Sequence, residues 1–203
     1  MNHPLLLVLL TLAGAYVAWL WRADLHAALA GNPPPNPLPG ASPATVPAVA
    51  IAITGVLLIL GVETAGEFAF DLADQQSRMT WLFAAYSIVG APVIEELIFR
   101  GWLVIENRGR AALWAGALVA SALFALLHPF LWQWDDAGFR LTATPKGWFS
   151  TAIVFAMSMW LYFARFSPWN PQRSLLPCFA AHACKNIGVV AIKASAGFMA
   201  GLW

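Results

Sequence analysis

Six apolar runs set the architecture of this chain, approximately Pro4 to Trp21, Val46 to Val62, Thr80 to Ile105, Ala111 to Trp134, Gly147 to Phe166 and Ser174 to Trp203. Each is close to or longer than the roughly 20 residues that carry a helix across about 30 Å of hydrocarbon. Water is a poor solvent for such a chain: 60% of the 203 residues are hydrophobic and 10% charged, with a mean hydropathy of +0.68, too little polar surface to cover a soluble domain. The expected fold is therefore all-α, a polytopic membrane helix bundle of about six transmembrane helices.

Ala28-Leu29-Ala30 after the first run resembles a signal-peptide cleavage site, but there is no basic segment before the run, and the run is long for a signal core. An uncleaved anchor is expected. The segment GNPPPNPLPGASPATVP that follows is proline-rich and reads as a semi-rigid linker. Residues 1–45 are accordingly expected to form an N-terminal anchor helix with its linker, and residues 46–203 the multi-helix core. If the loop carrying Arg108 and Arg110 is cytoplasmic, alternation also puts Arg22, Arg165 and Arg173 inside and both termini outside. A formal charge of +1 without a basic run gives nucleic acid no footprint. Cys178 and Cys184 are six apart, about 9 Å along a helix and beyond disulfide reach.

Against this apolar background, APVIEELIFRG places Glu95, Glu96 and Arg100 inside the third run. Glu96 and Arg100 are four apart and share a helix face, while Glu95 is rotated about 100° from Glu96. Ionisable groups inside a membrane segment mark functional interiors. In FALLHPF, Phe124 and His128 again share a face, and Pro129 loosens the backbone next to the imidazole. In AHACKN, His182 and Asn186 do the same on a helix rich in small residues. Glu63, Glu67 and Asp71 recur at helical spacing after the second run and read as a solvated acidic face. Lys185 and Lys193 read as pointing away from the histidines, toward water or headgroups. Counting the rise per residue puts Glu95 and His182 near one membrane face and His128 near the other.

The three motifs, Glu-Glu-x-x-x-Arg, Phe-x-x-x-His and His-x-x-x-Asn, in this order on successive spans, resemble the CPBP family of intramembrane proteases, which includes CAAX prenyl endopeptidases, bacteriocin-processing and Abi-type proteins. The resemblance covers roughly residues 80 to 190. It implies an intramembrane endopeptidase acting on a membrane-anchored or lipidated protein, with Glu95 activating water, His128 orienting it, and His182 and Asn186 donating to the oxyanion. Glu96, Arg100 and Phe124 would support that site. No cofactor is expected. Zinc on Glu95, His128 and His182 is the alternative, although the chain lacks a His-Glu-x-x-His pair. The expected partners are the protein substrate and the lipid bilayer, and the expected location is a prokaryotic inner membrane. A noncatalytic scaffold or immunity protein of the same family is the main rival. A transporter fits less well, since no inverted repeat is evident. The segment LWQWDDAGFRLTATPKG lies outside the motifs and is a candidate for shaping substrate choice.

Overall fold

A computed structural model describes residues 3–135 and 138–203. It contains α1 (Pro4–Leu29), α2 (Val46–Ala69), α3 (Trp81–Glu96), α4 (Gly109–Leu127), α5 (Pro145–Phe166) and α6 (Leu176–Ser195), with a two-stranded antiparallel hairpin, β1 (Trp132–Asp135) and β2 (Gly138–Leu141), between α4 and α5. The protein is thus an all-α polytopic bundle. Among the described residues, five helices are long and apolar enough to cross a membrane, α1 to α5, with α3 counted through Trp102. α6 falls short because it carries His182, Lys185, Asn186 and Lys193.

Helix ends follow local chemistry. Thr45, Thr80 and Thr144 each accept a backbone N–H of the first turn of α2, α3 and α5, satisfying donors that a helix start leaves open. Proline occupies the first positions of α1, α2, α5 and α6, where its missing N–H costs nothing. The fourth apolar run does not continue to Trp134 as a helix. α4 stops at Leu127 and His128 is extended, with φ −73° and ψ 131°, as the residue before a proline prefers.

Two cores hold the bundle together. Trp21, Val56, Val93, Leu97, Leu161 and Leu175 join α1, α2, α3, α5 and the start of α6. Phe99, Ala117, Phe124, Val154 and Tyr162 join α4 to α5 and to the end of α3. α1 lies directly on α3: a Cβ placed on Gly14 would sit 2.5 Å from the Gly90 Cα, so the backbones approach as closely as glycine permits. The proline-rich linker folds back onto these helices. The Trp21 indole donates to the Pro39 carbonyl at 3.1 Å, and Asp24 accepts the Leu38 N–H at 2.8 Å. Leu9, Leu12, Trp19, Leu58, Val119 and Leu126 remain exposed on α1, α2 and α4, the apolar outer surface that lipid covers.

α6 has the opposite polarity. Its His182, Lys185 and Lys193 are buried and Ile187 is exposed, so its polar face is turned into the bundle. This corrects the reading of both lysines as pointing outward. It also corrects the acidic face. Glu63 and Glu67 lie within α2, which runs on past Val62. Glu63 lies 2.8 Å from the Lys185 ammonium. Glu67 is buried and takes Lys146 and, at 2.6 Å, Gln76. Lys193 donates to the Ser77 carbonyl at 2.6 Å. Carboxylates and amines spaced for a water-facing stripe instead find each other across helices, since a partner inside the bundle costs less than a lone charge against lipid.

Candidate active site

Immediately after Glu96 the α-helix widens into a π-helical stretch, Leu97–Trp102. The Leu103 N–H bonds the Ile98 carbonyl at 2.9 Å, five residues back, and the Phe99 carbonyl is thereby released. The buried Tyr162 hydroxyl donates to that carbonyl and, at 3.2 Å, to Leu103 O. Single π turns of this kind are common at functional sites. Here it places Phe99 and Arg100 toward α4 and α5 while Glu95 and Glu96 face α6.

Glu96 and Arg100 are both wholly buried and form an ion pair at 3.1 Å. Arg100 also donates to Ser158 Oγ on α5 at 2.6 Å, and Ser158 donates to Ser121 Oγ on α4 at 2.8 Å. The guanidinium lies 4.5 Å from the Phe124 ring centroid and 5.4 Å from that of Tyr162, an aromatic nest suited to a desolvated cation. Ser121, Ser158 and Tyr162 belong to no motif. Only their small or polar character inside apolar helices hints at them.

His182 joins this group from α6. Its Nδ1 lies 2.7 Å from Glu96 Oε1; the same carboxylate oxygen accepts from Arg100, so the imidazole Nδ1–H is the donor. The other ring nitrogen, Nε2, faces Glu95 with 3.8 Å between it and Oε2. Adjacent glutamates thus differ sharply. The Glu96 side chain is sealed, and that of Glu95 is about a quarter exposed.

His128 reaches the same place from α4. The two helices are offset: Ile105 in the loop after α3 packs against Gly116, and Phe99 against Phe124 with ring centroids 4.9 Å apart. The chain therefore runs well beyond α3 before α4 turns back, and the C-terminal end of α4 comes level with Glu95. The depth mismatch expected from counting residues disappears. Phe124 is the common wall, its ring 4.8 Å from His128 and 6.5 Å from His182. His128 lies within Coulombic reach of Glu95 and His182. Its Nδ1 donates to the Phe124 carbonyl at 2.8 Å, which leaves Nε2 as the ring's acceptor in the neutral form.

Asn186 sits one turn beyond His182, and its Nδ2 donates to the Ser87 carbonyl of α3 at 2.6 Å. One amide N–H is used there and one remains. All seven residues singled out in the sequence thus lie on α3, the π turn, α4 and α6 around one centre. Among the described residues, no group of three or more His, Cys, Asp or Glu is arranged to hold a metal ion. The Nδ1 of each histidine is engaged, His128 with the Phe124 carbonyl and His182 with Glu96, which leaves Nε2 as the acceptor of each neutral ring. Cys178 is buried and donates to the Leu161 carbonyl at 3.3 Å, and both cysteines are free.

Glu95, His128 and His182 thus converge inside a bundle of membrane-length helices. Residues 77–188, more than half of the chain, match the family model described as Type II CAAX prenyl endopeptidase Rce1-like. The chain belongs to that family, and is an integral, multi-pass membrane protein of a protease class. Neither a curated protein nor a solved structure matches it.

Proposed function

We propose that the protein is a metal-free intramembrane endopeptidase that hydrolyses a peptide bond of a membrane-anchored or lipidated protein in a prokaryotic inner membrane. The observation that carries this reading is the contrast between Glu96, sealed against Arg100 and His182, and Glu95, partly open and 3.8 Å from His182 Nε2. Two polar atoms at that spacing are both within hydrogen-bond reach, about 2.8 Å, of one water molecule.

Glu95 acts as general base. One water proton goes to its carboxylate and the other is held by His128 Nε2, so that the oxygen lone pair points at the scissile carbonyl carbon. Addition gives a tetrahedral oxyanion. Asn186 meets it with its remaining N–H, and His182, whose ring is oriented by Glu96, is the second donor. Collapse breaks the C–N bond and returns the proton from Glu95 to the leaving amine. Glu96 and Arg100 do not touch substrate; they fix the ring of His182.

The test is cleavage of a prenylated, CAAX-terminated peptide by purified protein in detergent, with and without a zinc chelator. Glu95→Gln is expected to lower kcat by about 10²–10⁴-fold, the usual worth of a positioned acid–base group. His128→Ala is expected to lose somewhat less, and the wild type to ignore the chelator. Unchanged cleavage in both variants would overturn the site, chelator sensitivity would restore zinc, and a wild type that retains a membrane partner but cleaves nothing would favour a noncatalytic scaffold.

A further inference from the structure

The hairpin that follows His128 sorts its side chains by the period of two that strands impose. Trp132 pairs with Leu141 and Trp134 with Phe139, while Gln133 pairs with Arg140 between them. Opposite residues of an antiparallel pair share a face. Trp132, Trp134, Phe139 and Leu141 therefore form one side, and Gln133, Asp135 and Arg140 the other. The rings agree: the Phe139 centroid lies 6.1 Å from that of Trp132 and 6.4 Å from that of Trp134. On the polar side Arg140 is ion-paired with Asp135. The hairpin is thus amphipathic, yet among the described residues no helix covers its apolar side, where Trp134, Phe139 and Leu141 are 74%, 55% and 75% exposed.

Its place in the fold says what does cover that side. The hairpin joins the end of α4 to the start of α5. It is fastened there by the Trp132 indole, which donates to the Leu126 carbonyl at 2.8 Å, and by the Thr142 N–H, which donates to the Leu131 carbonyl at 2.8 Å. Leu123, Leu126 and Leu127 are exposed on the last turns of α4, and Trp148 in the first turn of α5. Through Trp132 the apolar side adjoins the lipid-covered surface of α4. Two opposed costs then fix its depth. In water the large apolar side chains have nothing to pack on, and a lone two-stranded hairpin is marginally stable. In hydrocarbon the two outer strand edges present N–H and C=O groups without partners. The headgroup region meets both demands, since it accepts aromatic rings on one side and leaves the edges and the Arg140–Asp135 pair in contact with water.

We propose that this hairpin is an interfacial anchor. Its Trp132, Trp134, Phe139 and Leu141 side is seated in the lipid headgroup region of the membrane face where α4 ends and α5 begins, and Gln133 and Arg140 face water. The occupant of the apolar side is the bilayer, which already covers α4 beside it. The inference goes beyond the hydrolytic reading and does not depend on it. The hairpin starts four residues after His128, and Phe130 between them stacks on the imidazole with ring centroids 5.7 Å apart. The anchored face of the membrane is thus the one nearest His128.

The experiment places the fluorophore NBD singly on Phe139→Cys and Leu141→Cys, from the apolar side, and on Gln133→Cys and Arg140→Cys, from the polar side. All four positions are exposed, and two per side keep the comparison readable where one variant fails to fold. Labelled wild type supplies the background from Cys178 and Cys184. The full chain is reconstituted in phosphatidylcholine–phosphatidylglycerol vesicles with iodide on both sides of the membrane. Labels at 139 and 141 are expected to emit at shorter wavelength, to be quenched more by nitroxides near the lipid headgroup than by nitroxides at the acyl-chain end, and to be quenched several-fold less by iodide than labels at 133 and 140. Equal iodide quenching on the two sides puts the hairpin in water and overturns the inference. Stronger quenching from the acyl-chain end overturns the interfacial depth. Protection from iodide without quenching by lipid nitroxides shows that a second copy covers the face, and protection that arises only when a prenylated peptide is added shows that the substrate's lipid does; either result overturns the bilayer as occupant.

Discussion

Two charged regions share the interior of this bundle, and they are built differently. Around Arg100 everything is closed: Glu96 and Arg100 are wholly buried, and Ser158, Ser121, Phe124 and Tyr162 enclose the guanidinium. Around Lys146 and Glu67 the same kind of pair keeps some contact with the outside, its amine side chain being 16% exposed near the start of α5. A delocalised guanidinium suits a multi-sided, aromatic-walled nest, whereas a flexible ammonium suits a site that water can still reach. Arg100 is fixed against Glu96, whose carboxylate also meets the His182 ring. Lys146 is positioned where its loss can be repaired by solvent.

Substitutions can break or sharpen that contrast. Removing Arg100 leaves the sealed Glu96 carboxylate without its counter-charge, and Arg100→Ala is expected to destabilise the protein by about 3–5 kcal/mol. Thermal unfolding in detergent measures this; an Arg100→Ala protein as stable as Lys146→Gln would end the distinction between the two regions. Ser158→Ala removes one acceptor from the guanidinium and should cost about 1–3 kcal/mol, with a fall in kcat if Arg100 then lets Glu96 and His182 shift. A stability loss with no change in kcat would confine Ser158 to packing. Lys146→Gln leaves the buried Glu67 to Gln76 alone and is expected to cost about 1–3 kcal/mol, less than Arg100→Ala, and to leave cleavage intact. A large loss there would show that the second region is closed as well.

Of the closed region, the Glu96–Arg100 pair was legible in the sequence because it is local, while Ser121, Ser158 and Tyr162, which come from other helices, were not. Glu96 and Arg100 stand four apart on one turn, as do Phe124 and His128, and helical periodicity alone puts each pair on one face. The helices themselves were equally legible, because length and apolarity decide a span. Partners from other helices were not. Nothing four residues from Glu63 or Lys185 announces that they meet across α2 and α6, and a stripe of carboxylates past a span looks solvent-facing until a buried amine is found opposite. The π turn after Glu96 was silent for a related reason: no proline or glycine pair marks its start, and what sustains it is Tyr162, far along the chain, accepting responsibility for the freed Phe99 carbonyl by donating to it. The hairpin after His128 was hidden because an aromatic-rich segment extends an apolar run smoothly. Pro129 was the signal that the helix ends there.

The inverted polarity of α6 has a consequence for how the protein is made. Lys185 lies at the middle of that helix, where a lysine raises the cost of insertion by about 2.5–3.5 kcal/mol. Such a segment gains little by leaving the translocon for lipid alone. It gains by leaving into α2 and α3, already in place, where Glu63, Glu96 and the Ser87 carbonyl receive its polar groups. Integration of α6 and completion of the site are then one event, and a chain that cannot form the Glu96–His182 contact is a candidate for quality control before it is ever an inactive enzyme.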